Sequence, residues 1–286
     1  MNMNTRNFTL VIAAIVIMAS FFACRKDKQD APVVFKPYNP TVNFRIKSTT
    51  AKNKGVEVGK VNYKYNNEQI DSIISDNSYG QSKYKINYSS GEISLTSVYG
   101  YSEHLSLDNA GHIIDYVGAY GFVHTSFTYE GDQMKTVGEY LGSTLLHKLS
   151  ISYNDNLPTL MEGYEYASTD SFYEKREIFY ENSLIQDMAV SFKMQGTLFR
   201  AFVWNYYYSN GLLNTVVYKN YDEISERELF EYDSNGLLNK YMVVDYTYNA
   251  SGDTTTNVHY EYEAGKGNMR ELINPYNKLR GYPYPI

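Results

Sequence analysis

The sequence predicts an all-β fold, an antiparallel meander of about twenty strands in repeated hairpins. Three observations lead to this prediction. Tyrosines alternate with other residues over short stretches, as in Tyr206 and Tyr208 or Tyr260 and Tyr262, and this is the period of a strand. A short polar turn, in most cases with a glycine, follows each stretch. The combination recurs along the chain. We expect no significant helix beyond residues 1–23.

Residues 1–23 have the layout of a secretory signal peptide. An uncharged apolar run from Phe8 to Ala23 follows Arg6, and it is shorter than the roughly 20 residues of a membrane-spanning helix. Ala23 directly precedes Cys24, and this pair resembles the lipobox of bacterial lipoproteins. The resemblance implies cleavage before Cys24 and acylation of its sulfur. The alternative is an uncleaved anchor helix with an incidental cysteine.

Residues 24–40 predict an extended tether, because this short stretch holds three of the seven prolines. With Cys24 acylated, the acyl chains supply the membrane affinity. We therefore predict an outer-membrane lipoprotein of the bacterial envelope. The sequence leaves open whether the body faces the periplasm or the cell surface.

The body, residues 41–263, repeats one pattern of about 22 residues: an aromatic or apolar strand end, a polar turn and an aliphatic restart. Glycines in these turns occupy positions that require a positive φ. We count ten such units. They begin at Tyr63, Ile86, Leu105, Phe127, Ile151, Ile178, Asn205, Phe230, Tyr246 and Tyr260.

The arrangement of the sheet follows from its apolar faces. The strand KYMVVDYTY, which begins at Lys240, is apolar on both faces. Two buried sides favour a single sheet that curls on itself or an open twisted barrel. Most tyrosines are expected to be structural, because cross-strand tyrosine pairs stabilise a sheet. Residues 264–286 hold three prolines and little alternation, so we expect an irregular C-terminal cap there.

Two turns carry a family resemblance. Residues 232–238 (YDSNGLL) and residues 208–213 (YSNGLL) resemble the core of the YD repeat, Y-D-x-x-G-x-L/I. Over about residues 60–265, the chain resembles the Tyr-rich, YD-repeat-like (Rhs-type) lipoproteins of the Bacteroidetes type, whose function is uncharacterised. The resemblance implies a β-hairpin repeat body. In large toxin relatives, such repeats are similar to a shell of coiled β-sheet that encloses cargo.

Composition excludes several classes of protein. The formal net charge of −6 argues against a nucleic-acid-binding protein. A hydrophobic content of 43% argues against a disordered chain. One cysteine supports neither a disulfide framework nor a four-cysteine zinc site. The histidines lack ligand spacing, so we predict no metal site and no cofactor. They are His104, His112, His124, His147 and His259.

We predict no catalytic residue, because the sequence contains none of the common catalytic or phosphate-binding motifs. The segment Gly265-Lys266-Gly267 is interpreted as a turn rather than a phosphate loop. Asp108, Asp155 and Asp233 occupy turn positions, where a carboxylate caps backbone N–H groups. The alternative is a polysaccharide-acting hydrolase, whose two carboxylates need only lie about 5–10 Å apart in space and cannot be identified from sequence.

The predicted function is a non-enzymatic binding or structural module with a protein or glycan partner. Trp204 stands beside Tyr206, Tyr207 and Tyr208 in the densest aromatic cluster of the chain. Such side chains supply rigid, amphipathic contact area. We therefore expect Trp204, Tyr206 and Tyr208 to line a ligand surface. The alternative is that Trp204 belongs to the core.

Overall fold

The computed structural model describes residues 44–53, 55–67, 69–77, 80–166 and 171–264. The predicted leader, tether and cap lie outside these residues, as do Cys24 and the Gly265 turn. Throughout the described part the backbone forms strands and connections without a helix, which confirms the all-β prediction. A search of the same residues finds no helix suited to crossing a membrane.

Eighteen antiparallel strands form one sheet, and consecutive strands pair in chain order. This confirms the predicted meander. The strands are β1 Phe44–Asn53, β2 Val56–Asn66, β3 Gln69–Asn77, β4 Gly80–Ser89, β5 Glu92–Ser97, β6 Ser102–Leu107, β7 Ile113–Val117, β8 Val123–Glu130, β9 Gln133–Leu141, β10 Thr144–Asn154, β11 Leu157–Tyr166, β12 Ser171–Glu181, β13 Leu184–Met194, β14 Thr197–Ser209, β15 Leu212–Asn220, β16 Glu223–Tyr232, β17 Leu238–Asp245 and β18 Asp253–Ala264.

The sheet closes on itself. β1 pairs with β2 along one edge and with β18 along the other, so that Thr49 lies opposite both Val61 and Tyr260. The prediction of an open curled sheet or open barrel was therefore wrong, whereas the predicted number of about twenty strands agrees with the 18 of the described residues. The fold is a closed barrel of 18 strands. Closure leaves neither the first nor the last strand with an unpaired edge, which removes a template for aggregation.

Nine hairpins build the barrel, and not the ten units expected. Each even-numbered strand ends within two residues of the tyrosine position of the repeat, which Leu107 occupies on β6. The unit predicted at Tyr246 is out of step, because residues 246–252 form the connection between β17 and β18. The alternation in YTYNASGD therefore belongs to a loop and not to a hairpin.

The YD-like turn after β16 confirms the capping role predicted for Asp233. Its Oδ1 atom accepts hydrogen bonds from the backbone N–H groups of Asn235 (2.8 Å) and Leu237 (2.9 Å). Gly236 has a φ of +78°, which a residue with a Cβ atom adopts at a cost. Asp108 caps the turn after β6 with the same pair of bonds. The same Asp cap therefore forms in two hairpins that are far apart in the sequence.

The repeat tyrosines form a row at one end of the barrel, called here the tyrosine end. In seven hairpins the hydroxyl donates a hydrogen bond of 2.7–3.1 Å to a carbonyl oxygen near the start of the preceding strand. The pairs are Tyr65 with Ile46, Tyr129 with Ile113, Tyr153 with Met134, Tyr180 with Pro158, Tyr208 with Ile185, Tyr232 with Leu213, and Tyr262 with Leu238.

The residue two positions before the tyrosine position of each even-numbered strand is buried. Its side chain points to the same face, because strand side chains alternate. These residues are Tyr63, Ile86, Leu105, Phe127, Ile151, Ile178, Tyr206, Phe230 and Tyr260. Together with partners on the odd strands they form one apolar cluster to which every strand contributes. A circular barrel of this many strands encloses a channel, but here side chains fill the interior at this level.

Candidate functional site

Farther from the tyrosine end, the interior becomes polar. The next two inward rows lie four and six residues before the tyrosine position on each even strand. The row at four consists of Val61, Tyr84, Glu103, Thr125, Leu149, Arg176, Trp204, Glu228 and Val258. The row at six consists of Gly59, Ser82, Tyr101, Val123, His147, Glu174, Phe202, Glu226 and Thr256. Six ionisable side chains other than tyrosine therefore enter the barrel from the even-numbered strands.

Four of the inward charges on β9, β10 and β12 form an ionic cluster. The His147 side chain is 8% exposed and lies between Glu139, at 3.7 Å from Nδ1, and Glu174, at 3.4 Å from Nε2. Nε of Arg176 donates a hydrogen bond to the other oxygen of Glu174. The cluster thus balances two carboxylates against one guanidinium and one imidazole.

Protonation in this cluster follows from the neighbours of each group. Burial alone lowers the pKa of His147, but the carboxylates of Glu139 and Glu174 outweigh burial and raise it above its ordinary value. Burial alone raises the pKa of Glu174, but His147 and Arg176 outweigh it and lower that pKa to about 2. Charged Glu174 and a protonated His147 therefore stabilise each other.

A glycine on the strand between them makes this contact possible. Gly163 of β11 lies opposite Glu174 of β12 and opposite Leu149 of β10, two residues from His147. A Cβ atom at Gly163 would lie 1.7 Å from the carbonyl oxygen of Lys148. The absent side chain lets β11 approach β10 closely and lets His147 reach Glu174 across it.

A second polar cluster lies inside β16 and β17. Glu228 is 2% exposed, and the hydroxyl of Tyr241 donates a 2.9 Å hydrogen bond to its Oε2. Burial and the nearby charge of Glu226 raise the pKa of Glu228 to about 8. Burial and Asp245, its partner across the two strands, also raise the pKa of Glu226. Glu228 is therefore largely neutral at pH 7.

The predicted ligand strand lies on the inner wall of the barrel. Trp204 is half-buried and packs against the core, with its ring 4.9 Å from that of Tyr218. Tyr206 is 1% exposed, so it offers no surface to a ligand and does not belong to the predicted ligand surface. Tyr208 belongs to the tyrosine row and bonds the carbonyl of Ile185. A ligand role for Trp204 and Tyr208 stays a prediction.

The exposed large apolar side chains gather at the end of the barrel opposite the tyrosine row. All of those found in the described residues lie there except Ile114, Phe179 and Tyr207. We call this set the apolar rim. It comprises Val56, Val58, Val98, Tyr99, Tyr101, Tyr120, Phe122, Val123, Leu141, Tyr164, Tyr166, Leu198, Phe199, Tyr221, Ile224 and Tyr248. Its members lie in, or on strand ends beside, eight of the nine hairpin connections at that end.

The remaining predicted residues have local roles. His112 bonds Asp108 at 2.9 Å and stacks on Tyr129, with ring centroids 4.5 Å apart. His104 bonds Glu92 at 2.9 Å. Asp155 lies in a two-residue turn with a φ of +48°. A search of the described segments finds no group of three or more potential metal ligands.

Reasoning from the sequence missed the inward charges and the rim. An Asp or Glu taken by itself does not indicate its orientation, but its position relative to the repeat tyrosine does. Counting back from each repeat tyrosine in the sequence identifies Arg176, Glu174 and Glu228 as residues whose side chains point into the barrel. The rim has a weaker signal, namely Tyr, Phe or Val in the longer connections where turn residues are expected.

Comparisons with known proteins give limited likeness. No family model matches the chain, and no curated protein matches it. A porin-like protein from Bacteroides uniformis is similar with a TM-score of 0.48 and 11% identity over 79% of this chain and 99% of that one. A porin-like protein from Bacteroides vulgatus gives 0.40 and 9% over 76% and 98%. TcdB2-TccC3 gives 0.27 and 9% over 77% and 16%.

Proposed function

We propose that this chain is a non-enzymatic lipoprotein of the bacterial envelope that holds a partner through the apolar rim. The observation that carries the proposal is the concentration of exposed apolar side chains at one end of a closed barrel. Scattered apolar residues are normal on a protein surface, but a gathered set marks an interaction site. The packed interior makes the barrel a rigid support for that set.

The interior charges support a structural role over catalysis. Glu228 is enclosed and already hydrogen-bonded to Tyr241, so its carboxyl does not face a substrate. His147 and Glu174 are enclosed in the same way. A hydrolase needs a carboxylate pair that a sugar chain can reach. Its best pair here is Glu226 and Asp245, and a product assay on polysaccharides with the E226Q/D245N double variant examines that alternative.

The envelope location rests on the leader and on Cys24. An acylated Cys24 places the chain on a membrane through residues 25–43, which join β1 at the tyrosine end. That leaves the barrel on a tether, with its rim free to meet a surface or a partner. The predicted protein or glycan ligand is the alternative to a lipid surface, and the experiment below separates them.

Photo-crosslinking from two phenylalanine positions tests the proposal. A photoreactive phenylalanine analogue replaces Phe122 on the rim or Phe179 on the outer wall, in the full lipidated chain within the envelope. The two side chains are 68% and 49% exposed, so they are matched in type and similar in access. We expect adducts from position 122 and few from position 179. Equal labelling at the two positions would contradict a contact surface at the rim.

A further inference from the structure

We propose that the partner of the apolar rim is a lipid bilayer, on which the barrel stands by that end. This inference rests on the proposed function, in which the rim is the contact surface, and it names what the rim contacts. Two features of the molecule support it, the circular distribution of the rim and its side-chain chemistry; the outer wall indicates the orientation, and the length of the preceding segment permits it.

The distribution of the rim matches a flat partner. Its side chains lie in or beside connections all round the closed barrel, including Val56 at the start of β2, Leu141 at the end of β9 and Tyr248 after β17. A planar bilayer touches the tips of every connection at once. An apolar ring around a whole rim is therefore better suited to a plane than to a single protein.

The chemistry of the rim is that of a membrane interface. Seven of its members are tyrosines, whose rings have an apolar body and a polar tip and favour the headgroup level. The others are aliphatic or phenylalanine, such as Val98, Leu198 and Phe122, which are 62%, 45% and 68% exposed. Aliphatic side chains gain little from a hydroxylated sugar but gain free energy from acyl chains.

The outer wall indicates that the barrel stands on the bilayer rather than in it. Outward positions on the strands carry exposed lysines, among them Lys64, Lys85 and Lys148. A barrel that crosses a membrane presents an apolar band to lipid at such positions. Here the apolar face of each strand is turned inward, and outside the rim the described residues expose three large apolar side chains, Ile114, Phe179 and Tyr207, on three different strands.

The tether reaches far enough for this orientation. Residues 25–43 join β1 at Phe44, at the tyrosine end, so the acylated cysteine must pass the length of the barrel to share a membrane with the rim. Nineteen residues extend to about 60 Å. The longest strand, β14, has 13 residues and spans about 43 Å. At full extension, nineteen residues span more than the longest strand, which allows the rim to add a second attachment to that of the lipid.

Vesicle flotation tests the inference without the anchor. The chain from Arg25 keeps every described strand, and its strands pair and bury their core among themselves, so it folds as a unit. The probe is vesicles of phosphatidylcholine, which carry no net charge. A rim variant combines Tyr99→Ser, Phe122→Ser and Phe199→Ser. A wall variant combines Ile114→Ser, Phe179→Ser and Tyr207→Ser, the exposed apolar residues outside the rim.

We expect the chain from Arg25 and the wall variant to float with vesicles, and the rim variant to lose at least tenfold in partitioning. Melting curves establish that both variants are folded. A chain from Arg25 that stays in the dense fraction overturns the bilayer as partner, as does equal loss in the two variants. Adducts between position 122 and an envelope protein alone would also overturn it, although they would leave the proposed contact role of the rim intact.

Discussion

The hydroxyl of Tyr232 donates a hydrogen bond to the carbonyl oxygen of Leu213, 2.8 Å away, and ties the end of β16 to the start of β15. Burial raises the pKa of Tyr232, so the phenol keeps its proton and remains a donor. Six other hairpins carry the same bond. The tyrosine of the repeat therefore serves through its hydroxyl as well as through its ring.

Removing one such hydroxyl should cost measurable stability. We expect Tyr232→Phe to lower the free energy of unfolding by about 1 kcal/mol, because the Leu213 carbonyl loses its donor in a half-buried place. The measurement is urea denaturation. Tyr207→Phe is the matched control, since Tyr207 is 52% exposed on the same kind of strand end and should change stability little. Equal losses in the two variants would remove the special role of the row.

The glycine of β11 should be irreplaceable. In Gly163→Ala the new methyl group meets backbone atoms of Lys148, so β10 and β11 must separate and the contact of His147 with Glu174 is strained. We expect a loss of more than about 3 kcal/mol or failure to fold. Gly118→Ala serves as control, because its Cβ would lie 3.6 Å from the nearest atom, the carbonyl oxygen of Val123, an ordinary contact. Similar melting curves for both variants would contradict this packing.

The buried acid of β16 should make the barrel less stable in alkaline solution. The folded pKa of Glu228, about 8, lies above the ordinary value of 4.5. Its contribution to stability is therefore full below pH 4.5 and is lost as the pH rises through 8, by an amount on the order of a few kcal/mol. The raised pKa of His147 acts in the same direction, with its contribution full below 6.5.

We expect Glu228→Gln to reduce this dependence, because glutamine keeps the hydrogen bond with Tyr241 and carries no proton to lose. The free energy of unfolding should exceed that of the unmodified chain at pH 8 and approach it near pH 4.5. Urea denaturation at both pH values measures the difference. Parallel curves for the two proteins would show that Glu228 is not the group responsible.

Acylation should depend on the single cysteine. Metabolic labelling with a radioactive fatty acid should mark the unmodified chain, and Cys24→Ala should abolish the label and leave the leader uncleaved. Lys26→Ala is the control and should retain the label. A labelled Cys24→Ala protein, or an unlabelled parent, would disprove the lipoprotein assignment.

The hairpins could be predicted from the sequence because the residues that determine each hairpin are close together in the chain. The alternation before Tyr232, the Asp233 cap and the positive φ of Gly236 lie within a few residues of one another. Closure has no such local signal, because β1 and β18 are separated by the whole repeat body. The residues around Tyr246 match the repeat pattern but are out of phase with the other hairpins, and only the pairing of β17 with β18 shows this.

The candidate site was harder to predict for a related reason. The contact between His147 and Glu174 crosses β11 and depends on the absence of a side chain at Gly163. The sequence around a single glycine does not indicate such a contact. The aromatic cluster around Trp204 was visible, but its orientation was not. Since strand side chains alternate, Trp204 and Tyr206 both point into the barrel. Most of the large apolar side chains that remain exposed lie in or beside the connections at the opposite end from the tyrosine row.

The proposed role of the rim depends on closure of the barrel, and one distance tests that closure. Spin labels are placed at Lys47→Cys on β1 and Glu261→Cys on β18, both exposed, in the chain from Arg25, which has no other cysteine. Closure brings the two strands together, so we expect a separation below about 20 Å. An open sheet of 18 strands at about 4.8 Å each would place them about 80 Å apart, and that result would contradict the account.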